Sequence, residues 1–215
     1  KYGRDVNVTL EVKASPIVKD INKDIVFVID RSSSMNSEMS SLKEIMKKVV
    51  DNLVNDKTRI GLVIYGTHTI STKELSNNKE EIKKYIDLIP NIVSNEGTNI
   101  DAGIRSSIKL LEKSNYNKTV ILLTDGEPTF YYEDNNGKLI LKGNGINYSF
   151  KAEESAKKQI DILRENKVSV YNIGFKIKED SNASKFLKQN SDKYYNPKNI
   201  EELQKDLNNI NEVIN

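Results

Sequence analysis

The sequence contains no cysteine and only one histidine, His68. The absence of cysteine excludes disulfide bonds, thiolate metal ligands and thiol nucleophiles. A single histidine also excludes a zinc site built from several imidazoles. Any metal ion that this chain binds must therefore be held by oxygen atoms or by that one imidazole.

The sequence also lacks an excess of one charge and a long apolar run. Lys and Arg total 33 against 31 Asp and Glu, so the net charge of +2 gives no field that would attract nucleic acid or anionic lipid. The longest apolar runs, residues 25–29 and 120–123, are far shorter than the roughly 20 residues of a membrane helix. We expect neither a nucleic-acid partner nor membrane insertion of this fragment. The first residue is Lys1 and no signal peptide follows it, so an export signal would have been removed or lie outside the fragment.

Two different strand patterns lie near the start of the chain. Residues 6–13 alternate apolar and polar side chains, which predicts a half-buried antiparallel strand, whereas residues 25–29 are apolar at every position, which predicts a central parallel strand. The contrast predicts that residues 1–20 form a strand or linker from a flanking β domain, and that residues 21–215 form the main domain.

The rest of the chain alternates strands with amphipathic helices. Such alternation predicts an α/β fold, a doubly wound and mostly parallel open sheet with helices on both faces. Strands are predicted at residues 25–29, 59–65, 67–74, 119–124 and 168–174, and helices at 39–53, 82–89 (capped by Asn78), 100–111, 152–163, 181–190 and 200–214.

Oxygen-bearing side chains stand where two of the predicted strands end. Asp30, Ser32 and Ser34 follow the first core strand, and Asp125 follows the strand at 119–124. Ligands of open α/β sheets bind at the carboxyl ends of strands. Carboxylate and hydroxyl oxygens suit Mg²⁺ or Mn²⁺, although serines after a strand are also common helix caps.

These segments, together with Thr98 in the segment NEGTNID, resemble the metal-ion-dependent adhesion site of von Willebrand factor A (vWA) domains. The resemblance covers residues 24 to about 212 and implies a Rossmann-like fold with Mg²⁺, or Mn²⁺ or Ca²⁺, bound by a shared set of oxygen ligands. It also implies that an acidic residue of a protein ligand completes the metal coordination. Ser33 stands where the family commonly has glycine, so the turn has to form without a positive φ. The implied ligands are Asp30, Ser32, Ser34, Thr98 and Asp125.

The sequence does not favour an enzyme. It contains no phosphate-binding glycine loop and no G-x-S-x-G elbow, and Gly143 and Gly145 lie in a polar insert where a flexible turn is expected. A hydrolase that used Ser32 or Ser34 would need His68, which we interpret as a surface residue between two edge segments.

Further residues around the site allow two interpretations each. Glu96 and Asp101 either orient metal-bound waters or place charge at a helix start. Glu127 is a candidate contact for the protein ligand or a solvated loop residue. Aromatic residues of the insert at 130–150 either contact the ligand or pack on the domain. The aromatic contact candidates are Phe130, Tyr131 and Tyr132.

The order of segments suggests a location. VTLEVKASP ahead of KDIVFVIDRSSSM is similar to Gram-positive surface proteins with vWA domains, including pilus-tip adhesins. That resemblance implies an extracellular adhesion module at the cell wall or pilus tip, with a host matrix or cell-surface protein as ligand. Two alternatives stay open: an intracellular vWA module that partners an ATPase, and a structural surface subunit whose metal stabilises the fold.

The final predicted helix also has two interpretations. Ile200, Leu203, Leu207 and Ile210 share one face of it. In some similar domains the last helix slides when the metal coordination changes. Static packing against the domain is the simpler explanation of the same apolar face.

Overall fold

The computed structural model of the chain describes residues 21–214. The strand predicted at residues 6–13 and the proposed boundary near residue 20 lie outside the described residues. The strands are β1 (Lys23–Asp30), β2 (Thr58–Tyr65), β3 (Thr69–Ser76), β4 (Asn117–Thr124), β5 (Phe130–Asn135), β6 (Lys138–Gly143), β7 (Val168–Gly174) and β8 (Lys193–Tyr195). The helices are α1 (Met39–Leu53), α2 (Lys79–Asp87), α3 (Ile100–Leu111), α4 (Phe150–Glu165), α5 (Asn182–Gln189) and α6 (Ile200–Ile214).

Six strands form the main sheet, in the order β3-β2-β1-β4-β7-β8. Every neighbouring pair is parallel except β2 with β3, which is antiparallel. The apolar run at 25–29 lies in β1, between β2 and β4, as its continuous hydrophobicity predicts. The predicted α/β class and mostly parallel sheet are therefore confirmed.

Helices cover both faces of this sheet because alternate residues of each central strand point to opposite sides. Ile25, Phe27 and Ile29 pack with α1, α2 and α6, whereas Val26 and Val28 pack with α3, α4 and α5. All five side chains are at most 1% exposed. Within residues 21–214, no helix has both the length and the apolar composition needed to cross a bilayer.

Polar caps fix the starts of four helices. The predicted cap at Asn78 is present, since its side chain accepts a hydrogen bond from Glu81 N. Asn99, Ser149 and Ser181 cap α3, α4 and α5 in the same way. The α3 cap also orders the backbone next to Thr98, a predicted metal ligand.

The insert at 130–150 contains regular structure that the sequence analysis did not predict. It contains an antiparallel hairpin, β5 and β6, joined by Asn136 and Gly137 with φ values of 54° and 84°. Both positive values belong to the turn type that favours Asn-Gly, so the dipeptide was an available signal. The short edge strand β8 was also missed because its three residues carry too little pattern.

Candidate metal site

The two aspartates at the strand ends lie in one cluster with the turn serines. Asp30 ends β1 and is fully buried, and its Oδ1 accepts a hydrogen bond of 2.7 Å from Ser32 N. Ser32 Oγ and Ser34 Oγ are 2.9 Å apart, and Ser34 Oγ donates to Asp125 Oδ1 at 2.9 Å. The adjacent parallel strands β1 and β4 thus bring together residues that are 95 positions apart in the chain.

Thr98 approaches the same cluster from the loop before α3. Its hydroxyl lies 3.5 Å from the point that a Cβ on Gly126 would occupy, next to Asp125. Its carbonyl accepts hydrogen bonds from Thr129 N at 2.9 Å and Phe130 N at 3.1 Å. Its own N–H donates to Thr129 Oγ1 at 3.0 Å. The start of the insert therefore fixes the backbone that carries the Thr98 hydroxyl.

Ser33 forms the turn without a positive φ. The backbone enters through Ser32 at φ −61° and continues as a 3₁₀ turn over Ser33–Ser37, and Ser33 is not among the residues with positive φ. Ser33 N donates to Glu96 O at 3.0 Å, and Ser33 Oγ accepts from Glu96 N at 3.1 Å. The serine that replaces glycine thus joins the turn to the Thr98 loop.

Arg31 and Asn36 hold this turn from its other side, and the sequence analysis did not identify either residue. The buried guanidinium of Arg31 donates to Pro90 O at 2.7 Å and to Asn36 Oδ1 at 2.8 Å. Asn36 also makes two hydrogen bonds to the backbone of Val93. The positive charge of Arg31 is therefore directed at carbonyl and amide oxygens rather than at the Asp30 carboxylate.

The field of the cluster disfavours ionised carboxylates in the protein alone. Burial, and then the charge of Asp125, raise the pKa of Asp30 from 3.8 to about 7. Burial, and then the charge of Glu38, raise the pKa of Asp125. Lys176 lies beside Asp125, but its ammonium pairs with Glu38 Oε1 at 2.5 Å. Among the described residues, no lysine or arginine forms an ion pair with Asp30 or Asp125.

The donor set fits a small, hard divalent cation. Two carboxylates supply the charge that neutralises such an ion, and the hydroxyls of Ser32, Ser34 and Thr98 are neutral oxygen donors. Within residues 21–214, no group of three or more His, Asp or Glu side chains could hold a metal, so these hydroxyls are necessary members of the set. Asp30, Ser32 and Thr98 are at most 5% exposed, whereas Ser34 is exposed, so the cluster opens to solvent on one side.

Glu96 and Asp101 have partners outside this cluster. Glu96 Oε2 accepts from Thr67 N at 2.8 Å, so the carboxylate holds the turn between β2 and β3. Asp101 is fully buried, with Oδ1 bonded to Arg105 Nε at 2.7 Å and Oδ2 to Tyr132 N at 2.9 Å. Both residues support the loops around the site, and no direct contact between either carboxylate and the cluster is present.

Aromatic residues of the insert mostly face the domain. The Phe130 ring packs on Gly97 and Gly145, since a Cβ on either glycine would lie 2.7 Å from its Cε2. The Tyr132 hydroxyl is 2.7 Å from Nδ1 of the exposed His68. His68 therefore bonds to the insert, and no hydrogen bond joins its ring to Ser32 or Ser34.

Tyr131 and Glu127 complete the set of predicted ligand contacts. Tyr131 is half-buried beside the groove between the hairpin and α4. Glu127 is half-buried. Burial is the main cause of the raised pKa of Tyr148, and the charge of Glu127 contributes to it. The structure brings neither residue into contact with the oxygen cluster.

Thr124 was missed although it touches a predicted ligand. Its hydroxyl donates to Asp30 Oδ2 at 2.6 Å. The sequence signal was weak because a threonine at the end of an apolar strand is ordinary β structure. Only the pairing of β1 with β4 places this hydroxyl beside Asp30.

The sequence and the fold both match one family. The model of the von Willebrand factor type A domain matches residues 24–210, so the chain belongs to the vWA family. Inter-alpha-trypsin inhibitor heavy chain H4 of Bos taurus is 31% identical over 123 residues, which cover 51% of this chain and 13% of that protein. Heavy chain H1 of Homo sapiens is 30% identical over 121 residues, with the same coverage of both chains. The chain thus spans about an eighth of the length of these curated relatives.

Solved structures with the same fold include surface proteins. The vWF domain of the type V pili tip protein Mfa5 from Porphyromonas gingivalis has a TM-score of 0.74 at 15% identity, over 90% of this chain and 95% of that one. The pilus adhesin SpaC from Lactobacillus rhamnosus GG has a TM-score of 0.71 at 19% identity, over 91% and 31%. Proximal thread matrix protein 1 from the mussel byssus, solved with a zinc-occupied MIDAS motif, has a TM-score of 0.64 at 23% identity, over 90% and 46%.

Proposed function

We propose that this vWA domain is a protein-binding adhesion module that depends on a divalent metal, Mg²⁺ in the first instance and Mn²⁺ or Ca²⁺ as alternatives. The observation that carries the proposal is the hydrogen-bonded chain from Asp30 through Ser32 and Ser34 to Asp125, which opens to solvent at Ser34. When bound there, the metal supplies a coordination position that a carboxylate of a partner protein can occupy.

The residues of the chain divide into a buried and an open side. Asp30, Ser32 and Thr98 would hold the ion from inside the fold, with Asp30 fixed by Thr124 and by the Ser32 N–H. Ser34 and Asp125 would hold it at the surface, where a partner can reach. Recognition is proposed rather than catalysis, because no described group beside the cluster is placed as a nucleophile with a base.

The rim of the site offers apolar contacts for such a partner. Ile92 is 76% exposed and adjoins Val93, which is bonded to the Asn36 side chain of the metal turn. Ile146 is 82% exposed in the loop between β6 and α4, next to the Gly145 that packs on Phe130. We therefore propose a partner segment in which apolar residues flank the acidic one. Tyr131 and Glu127 remain candidate contacts at the edge of this surface.

An extracellular location at a bacterial surface or pilus tip is proposed as well. The pilus proteins of similar fold support it, and a Gram-positive source remains a prediction from the sequence. Host matrix or cell-surface proteins are the expected partners. No observation favours an intracellular ATPase partner. A purely structural metal remains a distinguishable outcome of the experiment below.

The test compares two buried aspartates at opposite ends of β1. Asp24→Asn breaks a carboxylate pair with Arg59, whose Nε and Nη2 lie 2.8 and 2.7 Å from its oxygens. We expect it to reduce the free energy of unfolding by about 1–3 kcal/mol and to leave metal affinity unchanged. Asp30→Asn removes a proposed metal ligand whose neighbouring guanidinium, that of Arg31, makes its hydrogen bonds to Pro90 O and Asn36 Oδ1 instead. We expect it to abolish Mg²⁺ and Mn²⁺ binding in calorimetry while the metal-free protein keeps its stability.

Partner binding is measured on the same variants with a panel of purified extracellular-matrix proteins, with Mg²⁺ and with EDTA. We expect EDTA and Asp30→Asn each to abolish partner binding, whereas Asp24→Asn should preserve it. Equal binding in Mg²⁺ and EDTA would contradict it. Collapse of the Asp30→Asn fold would instead favour a structural metal.

A further inference from the structure

Tyr65 places a phenol ring next to Asp30 from the neighbouring strand. The two residues are partners in the register of β1 and β2, and Arg31 N donates to Tyr65 O at 2.6 Å. Tyr65 packs with Val28 in the core under α3, and Asp30 is two positions after Val28 on the same strand. Because alternate residues of a strand share a face, the Tyr65 ring and the Asp30 carboxylate lie on the same side of the sheet.

Gly103 of α3 fixes the position of this ring. A Cβ on Gly103 would lie 2.8 Å from Cδ1 of Tyr65 and 2.7 Å from Cγ1 of Val28. The helix therefore approaches the strands so closely that only glycine leaves room for the ring. Tyr65 is fully buried, so the ring has no space in which to turn its hydroxyl toward solvent.

The hydroxyl of Tyr65 has no hydrogen-bond partner within the described part of the chain. The side chains of Asp30 and Thr124 act on the Tyr65 hydroxyl as hydrogen-bonding groups, but neither meets it at the distance and angle of a hydrogen bond. A phenol is protonated at neutral pH, so the hydroxyl remains a donor. A buried donor without an acceptor is costly, so its retention beside a carboxylate cluster calls for a role.

We propose that Tyr65 is a positioning residue of the metal site, whose hydroxyl donates a hydrogen bond to the Asp30 carboxylate when a divalent cation is bound. This inference rests on the proposed metal site. Asp30 then receives donors from β2, from the turn and from β4, through Tyr65, the Ser32 N–H and the Thr124 hydroxyl. Such outer contacts hold a ligating carboxylate in its orientation, and their loss typically lowers metal affinity about 10–100-fold.

Tyr65→Phe tests the proposal because it removes only the hydroxyl. Tyr85→Phe is the matched control, since the Tyr85 hydroxyl is also buried without a hydrogen bond, but Tyr85 lies on α2 and packs on the opposite core. The probes are Mg²⁺ and Mn²⁺ alone, measured by calorimetry. Thermal unfolding in EDTA and the tyrosine difference spectrum on addition of metal provide two further readouts.

We expect Tyr65→Phe to raise both dissociation constants about 10-fold or more and to remove a tyrosine spectral change that wild type shows. Its unfolding temperature in EDTA should equal or exceed that of wild type, because no unsatisfied hydroxyl remains. Tyr85→Phe should bind metal as wild type does. Unchanged metal affinity in Tyr65→Phe, or an equal loss in Tyr85→Phe, would overturn this proposal alone. A wild type that binds neither ion would overturn the metal site as well.

Discussion

Buried carboxylates in this domain differ by the charge that faces them. Asp24 has the guanidinium of Arg59 at hydrogen-bond distance, whereas Asp30 faces Asp125 and hydroxyl groups. A buried carboxylate with a cationic partner is stabilised in its ionised form, whereas one beside a second carboxylate is not. The same residue type thus supports the fold at one end of β1 and belongs to the candidate cation site at the other.

Metal binding should depend on pH near neutrality. The pKa of Asp30 is raised in the folded protein to about 7, so the native state binds more protons than the unfolded state between about pH 4 and pH 7. The stability that protonated Asp30 contributes to the metal-free protein is therefore lost as pH rises through that window. Mg²⁺ requires the ionised form, so its affinity should rise over the same range. We expect a larger Mg²⁺-induced increase in unfolding temperature at about pH 8 than at about pH 5. An equal increase at both values would contradict the assignment.

The clustering of Asp30 and the turn serines with Asp125 could be predicted from the sequence, because several spaced oxygens form one recognisable pattern. Thr124 and Tyr65 could not, since each is an ordinary strand residue until the register places it beside Asp30. Glu96 and Asp101 illustrate the opposite case. Their positions suggested a role toward the metal, but nearby N–H groups and Arg105 occupy their oxygens.

At the scale of elements, the hairpin β5–β6 and the Thr98 loop form one unit. The order of strands and helices was predictable from hydrophobic periodicity, whereas the hairpin was not, because its alternating pattern is exposed and weak. Phe130 begins the hairpin, donates its N–H to Thr98 O, and packs its ring on the glycine before Thr98. The insert therefore supports the loop that carries a candidate metal ligand.

Phe130→Ala distinguishes support from ligand contact. We expect the loss of this ring to reduce the free energy of unfolding by about 1–3 kcal/mol and to weaken Mg²⁺ binding several-fold, because the Thr98 loop loses its packing. Denaturant unfolding and calorimetry measure the two effects, with Tyr131→Ala as the comparison. If Phe130→Ala instead lost partner binding with stability and metal affinity intact, the ring would be a ligand contact.

Helix α6 packs on α1 through side chains that are at most 1% exposed: Leu203, Leu207 and Ile210. Close packing of this kind favours a static helix over one that slides. We therefore expect hydrogen exchange in α6 to be the same in a buffer that contains Mg²⁺ and in the same buffer with EDTA in place of Mg²⁺. Altered protection confined to α6 on addition of metal would show that the helix responds to the site.

At the scale of the whole molecule, the two cores and the site belong to residues 21–214. The proposed division at residue 20 predicts that a fragment of residues 21–215 folds alone. Its Mg²⁺ affinity should equal that of the full chain, and its thermal transition should stay cooperative. Calorimetry measures the Mg²⁺ affinity, and thermal unfolding measures the cooperativity, of the full chain and of the fragment of residues 21–215. Loss of the cooperative transition on removal of residues 1–20 would place those residues inside the domain.

The distance along the chain between the Asp30 turn and the Asp125 loop has a kinetic consequence. Their oxygens meet only after β1 has paired with β4, which is distant from β1 in the sequence. Such non-local pairing is completed late in folding. The chain can therefore hold the cation only once its sheet is assembled. Magnesium would then act mainly by slowing unfolding, while the refolding rate stays close to that of the metal-free protein. A divalent ion in the surrounding medium would thus prolong the lifetime of the folded domain without assisting its formation.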